Sequence, residues 1–195
     1  MANPKLQRHP SLHDKNRMLD QWIEAIGTGD RDALARLYHE TSTSVYAFSL
    51  SVLKNVHDAE DVLQECYISI HTSAHSYRSS GKPMAWILTI ARNLCLMRLR
   101  QRSKSAELPL DDWNDYLETN EEMTTIDRLI LSECMSRLSD QERQIVVLHA
   151  VVGAKHRQIA QFLDMPLSTV LSKYHRALQK LKNSFGKENG TNDES

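Results

Sequence analysis

Three stretches of this chain carry side chains suited to holding a nucleic acid or a charged protein surface. In KHRQIAQFLDMPLSTVLSKYHRALQKL (155–181), Ser168, Thr169, Ser172, Lys173 and Arg176 sit at offsets 0, 1, 4, 5 and 8. That spacing gathers them on one side of a helix. Lysine and arginine bond guanine edges or phosphates, and a short serine lets a helix approach the floor of a major groove. Val170 and Ala177, seven residues apart, take the opposed side as packing residues. Ile159, Ala160 and Leu163 give the preceding helix its inner face, and Pro166 keeps the two helices from fusing into one. The pattern is that of a helix-turn-helix, whose second helix enters a major groove.

The second stretch begins at Tyr77-Arg78, crosses a loop rich in breakers (Ser79, Ser80, Gly81, Pro83) and continues as AWILTIARNLCLMRLRQR. Aromatic rings stack on unpaired bases, arginines follow phosphates and an asparagine bonds a base edge. Tyr77, Arg78, Trp86, Arg92, Asn93 and Arg98 are therefore candidates for gripping separated strands. The third stretch is DAEDVLQE. Asp58, Asp61, Gln64 and Glu65 face away from an apolar stripe of Ala59, Val62, Leu63, Cys66, Tyr67 and Ile70. Acids suit the start of a helix because of its dipole, and they also make a docking face for a basic partner.

Catalytic sets are missing from the sequence. There are nine histidines, but no HExxH, no GxSxG and no phosphate loop. Cys66, Cys95 and Cys134 stand 29 and 39 residues apart, with no CxxC and no Cys/His ligand spacing. They read as reduced thiols. No catalytic residue, metal or cofactor is expected.

Helices must position all three stretches. An apolar period of Met18, Leu19, Trp22, Ile23 and Ile26 predicts a first helix, ended by Gly27 and Gly29. Residues 1–16 lack any period and read as a flexible tail. Asp30 is a good N-cap for a second helix running through Leu34, Leu37, Tyr38, Val45, Phe48 and Val52. A third starts near Asp58, and a fourth spans about Met84 to Arg102. Beyond it, 103–125 holds seven acids and one base without helical period, an acidic linker. Ile126, Leu129, Ile130, Cys134 and Leu138 form the next stripe. Ser139 to Glu142 is a capping-box pattern opening a helix that stops at Gly153. His156–Leu163 and Ser168–Phe185 follow, with Ser168 as a candidate cap, and 186–195 is a second polar tail. The expected fold is all-α: two small helical domains joined by the acidic linker, each with a modest core.

Net charge is -1 over 195 residues, yet the charge is unevenly placed. Arg78 to Lys104 carries seven bases and no acid, and Gly153 to Lys187 seven bases and one acid. Two basic regions separated by an acidic tether suit two contacts with one polyanion. No signal peptide or apolar span is present, so the chain reads as cytoplasmic without direct membrane insertion.

DAEDVLQE, AWILTIARN and the helix-turn-helix, in this order, resemble bacterial RNA polymerase sigma factors of the extracytoplasmic-function (ECF) type. The resemblance places residues 17–102 in sigma region 2 and 126–185 in sigma region 4. It implies a non-enzymatic subunit that initiates transcription of a specific regulon. Region 2 would bind core RNA polymerase through Asp58, Asp61, Gln64 and Glu65 and melt the -10 element of promoter DNA. Region 4 would read the -35 element, and a separate anti-sigma factor would hold the protein inactive. Three positions depart from the family pattern: Leu171 stands where a base is usual, Asp164 where the turn often has glycine, and Lys155 where serine commonly caps. A helix-turn-helix regulator with an N-terminal sensing or dimerising domain is the competing reading.

Overall fold

The computed structural model describes residues 12–105 and 135–188, and within them every regular element is helical. Four helices make the first unit: α1 (Leu12–Gly27), α2 (Arg31–Leu53), α3 (Val56–Ser73) and α4 (Pro83–Ser105), with a 3-10 turn at Ala74–Ser76 after α3. Three more make the second: α5 (Asp140–Ala150), α6 (His156–Phe162) and α7 (Leu167–Glu188). The expected linker and the stripe from Ile126 to Cys134 lie, beyond Ser105, outside the described residues.

Local chemistry sets most boundaries. The Asp30 carboxylate accepts from the Ala33 N–H at 3.0 Å and starts α2. Lys54 adopts the left-handed conformation (φ 54°) that ends α2, and Asn55 at once caps α3 by accepting from the Asp58 N–H at 2.9 Å. Pro83 opens α4, where its missing N–H costs nothing. Ser139 and Glu142 form the reciprocal box expected for α5, the Glu142 carboxylate accepting from the Ser139 N–H at 2.9 Å.

Two boundaries differ from the sequence reading. The first helix begins at Leu12 rather than Met18, so residues 12–16 are not tail. They are tied down: Lys15 pairs with Glu40 at 2.7 Å, and the Asn16 amide donates to the Gly81 carbonyl at 3.3 Å. Ser168 does not cap α7. The Pro166 carbonyl already accepts from the Val170 N–H at 3.1 Å, which puts Ser168 inside the first turn.

The two units are not separate bodies. One apolar cluster runs from Leu19 and Ile23 of α1 through Phe48, Ile70 and Ile87 into Ile145, Leu148, Ile159 and Val170. A smaller cluster of Leu138, Val146 and Ala177 belongs to the second unit alone. The extended linker composition gave no hint of this packing, because it rests on contacts between residues far apart in sequence.

Candidate nucleic-acid interface

The helix-turn-helix forms as the sequence predicts. Ile159, Ala160, Val170 and Ala177 are buried between α5, α6 and α7. The turn closes with the Met165 N–H donating to the Ala160 carbonyl at 2.9 Å. Asp164 stands at φ 54°, a left-handed position that Asp tolerates better than most residues. Asp in place of the family's glycine therefore leaves the turn intact. At the start of α6 no side chain of Lys155 can cap, but the Gln158 side chain accepts from the Lys155 N–H at 2.9 Å.

Ser168, Ser172 and Arg176 lie exposed along α7, while Thr169 and Lys173 are half-buried at the edge of the same face. Leu171 is 37 % exposed and lies with Leu167 and Leu178 on the other flank. It faces solvent, and not the core. An aromatic cluster pins α7 to its neighbours: His149 and His156 stack at 4.4 Å, and Tyr174 meets them edge-on at 4.9 and 4.6 Å. The His156 Nε2 is buried without a hydrogen-bond partner. Burial, then His149 and His175, hold its pKa below the ordinary histidine value.

The strand-gripping candidates divide. Tyr77 is only 7 % exposed, its hydroxyl donates to the Asp20 carboxylate, and its ring lies 4.7 Å from half-buried Trp86. It is a core residue anchoring the loop, and its phenol pKa is pushed up, first by burial and then by Asp20. Arg78 is exposed above it and donates to the Tyr77 carbonyl at 2.9 Å. Arg78 lines a 280 Å³ cleft with Glu24, Thr28, His75 and Ser79. Asn93 is exposed on α4, and Leu96, Met97 and Arg100 share its face. The sequence reading passed over those three, although offsets of 3, 4 and 7 from Asn93 mark them.

Arg92 and Arg98 are engaged inside the protein. Arg92 is half-buried, and its Nη1 donates to the Phe162 carbonyl of α6 at 3.2 Å. Arg98 binds the acidic face of α3, reaching Glu65 at 2.8 Å, Asp61 at 3.3 Å and Asp58 at 4.0 Å. Arg102 also pairs with Asp58. Asp58 is therefore largely covered, whereas the side chains of Asp61 and Glu65 remain 55 % and 46 % exposed. Gln64 is exposed beside them, and Ile68 (64 % exposed) extends the same face with an apolar group.

Among the described residues no three His, Cys, Asp or Glu side chains come together to hold a metal ion. Burial pushes the Cys66 and Cys95 thiols up to about 12, which keeps them protonated and unreactive. No helix of the described residues is long and apolar enough to cross a membrane. The arrangement offers contact surfaces: a helix with an exposed polar edge in one unit, an acidic-apolar face in the other.

Family comparison agrees with that division. Residues 37–105 match the model of Sigma-70 region 2, and residues 128–181 that of Sigma-70 region 4. The chain is 30 % identical over 173 residues to the ECF RNA polymerase sigma factor SigK of Mycobacterium ulcerans (strain Agy99), covering 85 % of this chain and 92 % of that one. SigK of Mycobacterium tuberculosis (strain CDC 1551 / Oshkosh) is 27 % identical with the same coverage. The fold resembles CnrH in complex with the cytosolic domain of CnrY (TM-score 0.60, 16 % identity, 87 % of this chain and 98 % of that one). It also resembles the sigma factor RpoE in complex with the anti-sigma factor NepR from Bartonella quintana (TM-score 0.61, 17 % identity, 78 % and 96 %). With both sigma regions matched in order and a relative of this similarity along nearly its whole length, the chain belongs to the ECF RNA polymerase sigma factors and serves transcription initiation.

Proposed function

We propose that the chain binds core RNA polymerase through the exposed face of α3, melts the -10 element with its first unit and reads the -35 element with α7. The observation that carries this reading is the division of labour between two surfaces. Asp61, Gln64, Glu65 and Ile68 present a mixed acidic and apolar patch, while Ser168, Ser172 and Arg176 line the outer edge of the recognition helix. An exposed apolar residue ringed by charges, free to be desolvated by a partner, is the composition of a protein-docking surface. Under this reading residues 17–102 act as region 2 and 126–185 as region 4, with 103–125 between them.

At the -10 element, the cleft beside Arg78 is the place for an extruded base, with the exposed Asn93 edge of α4 meeting the adjoining DNA. Unstacking a base costs a few kcal/mol, which contacts in the cleft must offset. Tyr77 contributes by holding the loop in place. The relatives CnrH and RpoE are each held by a partner in their solved complexes, which supports an anti-sigma factor for this chain too. The protein then works in the cytoplasm, where polymerase and promoter are.

Charge reversal tests the docking face. Glu65→Lys loses one half-buried pair with Arg98, but Arg98 keeps Asp61 and Asp58, so the fold survives. Core polymerase retention in a pull-down without DNA should fall at least several-fold, whereas Glu60→Lys, on the same helix, gives a control for net charge alone. Retention equal to wild type removes α3 from the docking role.

A further inference from the structure

We infer that a cavity at the seam between the two units is a binding site for a short-chain aliphatic carboxylate, with the alkyl chain between Leu88 and Ile159 and the carboxylate on Lys82. None of the residues lining it has a proposed polymerase or promoter contact, which sets this site apart from those surfaces.

The start of α1 and the start of α4 supply one wall, and the end of α5, the turn 152–154 and α6 supply the other. The buried part of the lining is apolar: Leu88, Leu148 and Ile159 are each at most 3 % exposed. Half-buried Met84 and Phe162 complete it. Such walls leave a water molecule without the polar partners it needs, and they suit an alkyl group. The cavity measures about 90 Å³, roughly the share of three water molecules in the liquid. A cavity of about 150 Å³ takes a benzene ring, so this one takes a chain of about three or four carbons and not a ring.

The rim sets the charge of the ligand. Two lysines and no acid line the cavity. Lys15 is already held by Glu40 at 2.7 Å. The Asn16 amide donates to the Gly81 carbonyl, and the Gln158 side-chain oxygen accepts from the Lys155 N–H. Lys82 is exposed and, among the described residues, has no ion pair and no side-chain hydrogen bond. It is the cation left to meet an anionic end. A phosphate monoester would call for a second unpaired cation or an arginine fork, and the rim has neither. One ammonium beside an apolar slot matches a monocarboxylate.

Both units line the site, so a bound carboxylate favours the arrangement that brings its walls together and stabilises the whole chain. The chain then responds to the concentration of a small acid directly.

Sodium pentanoate is the probe, with sodium chloride matching ionic strength and pentan-1-ol as the neutral counterpart. In an amide NMR titration of the full chain, pentanoate should give saturable shifts centred on Met84, Ala85, Gly153 and Ala154. The Kd should lie below about 20 mM, the range open to a ligand of so few atoms. At ten times that Kd the thermal midpoint should rise by about 3–5 °C. Lys82→Gln should weaken pentanoate at least about five-fold and leave pentan-1-ol unchanged. Ala85 is exposed on the cavity wall, so Ala85→Leu puts an alkyl group where the ligand's chain would lie and should abolish both. Circular dichroism should show wild-type helicity in both variants. No saturable shifts below about 20 mM, or pentanoate binding that survives Ala85→Leu, overturns the site. Pentan-1-ol binding as tightly as pentanoate, or Lys82→Gln binding pentanoate as tightly as wild type, overturns the carboxylate assignment.

Discussion

Replacing Arg176 with alanine separates two ways in which an exposed arginine on α7 can hold DNA. If it reads a base edge, its loss should cost about 1–3 kcal/mol and relax preference at one -35 position. If it holds a phosphate, all sequences weaken alike and the salt slope drops by about one. Binding to single-base -35 variants at two salt concentrations distinguishes these, and no change for Arg176→Ala and Lys173→Ala together would mean that α7 does not read DNA. Ser168, Ser172 and Arg176 were legible in the sequence because a helical period alone fixes which side they take. Tyr77, Arg92 and Arg98 were not. Their partners Asp20, Phe162 and Glu65 lie 57, 70 and 33 residues away, and no local pattern reports such contacts. A basic or aromatic residue near a loop looks the same in sequence whether it faces DNA or a buried carboxylate.

Element packing makes its own demands on single positions. A Cβ on Gly27, at the end of α1, would lie 2.7 Å from the Ala74 carbonyl oxygen and 2.9 Å from its carbon. Alanine is the better helix former by about 1 kcal/mol, but pushing two backbones apart costs about 1–3 kcal/mol. Packing should win, and Gly27→Ala should lower the urea midpoint. A higher midpoint would show that α1 and the 3-10 turn can separate freely. The three helices of the second unit should answer to pH through His156. His156, on α6, faces His149 of α5 and Tyr174 and His175 of α7. Its pKa is lowered by folding, so the unfolded chain takes up that proton first. Stability is then complete above about pH 6.5 and falls as the pH drops below it. The thermal midpoint should decline between about pH 7 and pH 5.5, and His156→Phe should flatten the decline. An identical profile for the variant would place the pH response elsewhere. Element identity was readable from caps: Asp30, the Ser139–Glu142 box and Pro166 act through side chains and backbone within four residues. The start of α1 at Leu12 was not, because Lys15 and Asn16 find their partners at Glu40 and Gly81.

At the scale of the whole molecule, a near-neutral chain keeps its bases and acids apart. Seven bases without an acid fall between Arg78 and Lys104, and α3 next to them carries Asp58, Glu60, Asp61 and Glu65. Arg98 and Arg102 bridge the two groups, so the acidic face of α3 and the basic end of α4 are built on one ion-pair network. The sequence showed both charge classes and placed one basic region in each unit, with acids on α3 and in the linker. What it did not show is that the units share a core, which depends on Phe48, Leu148, Ile159 and Phe162 meeting across the seam. The central claim is that this chain directs polymerase to promoters, and run-off transcription with purified core RNA polymerase tests it most directly. On templates drawn from upstream of its own coding region, core plus chain should give a transcript of one defined length, and core alone should give none. A chain that binds those DNA fragments unaided, never associates with core polymerase and yields no defined transcript would contradict the account and point to a helix-turn-helix regulator.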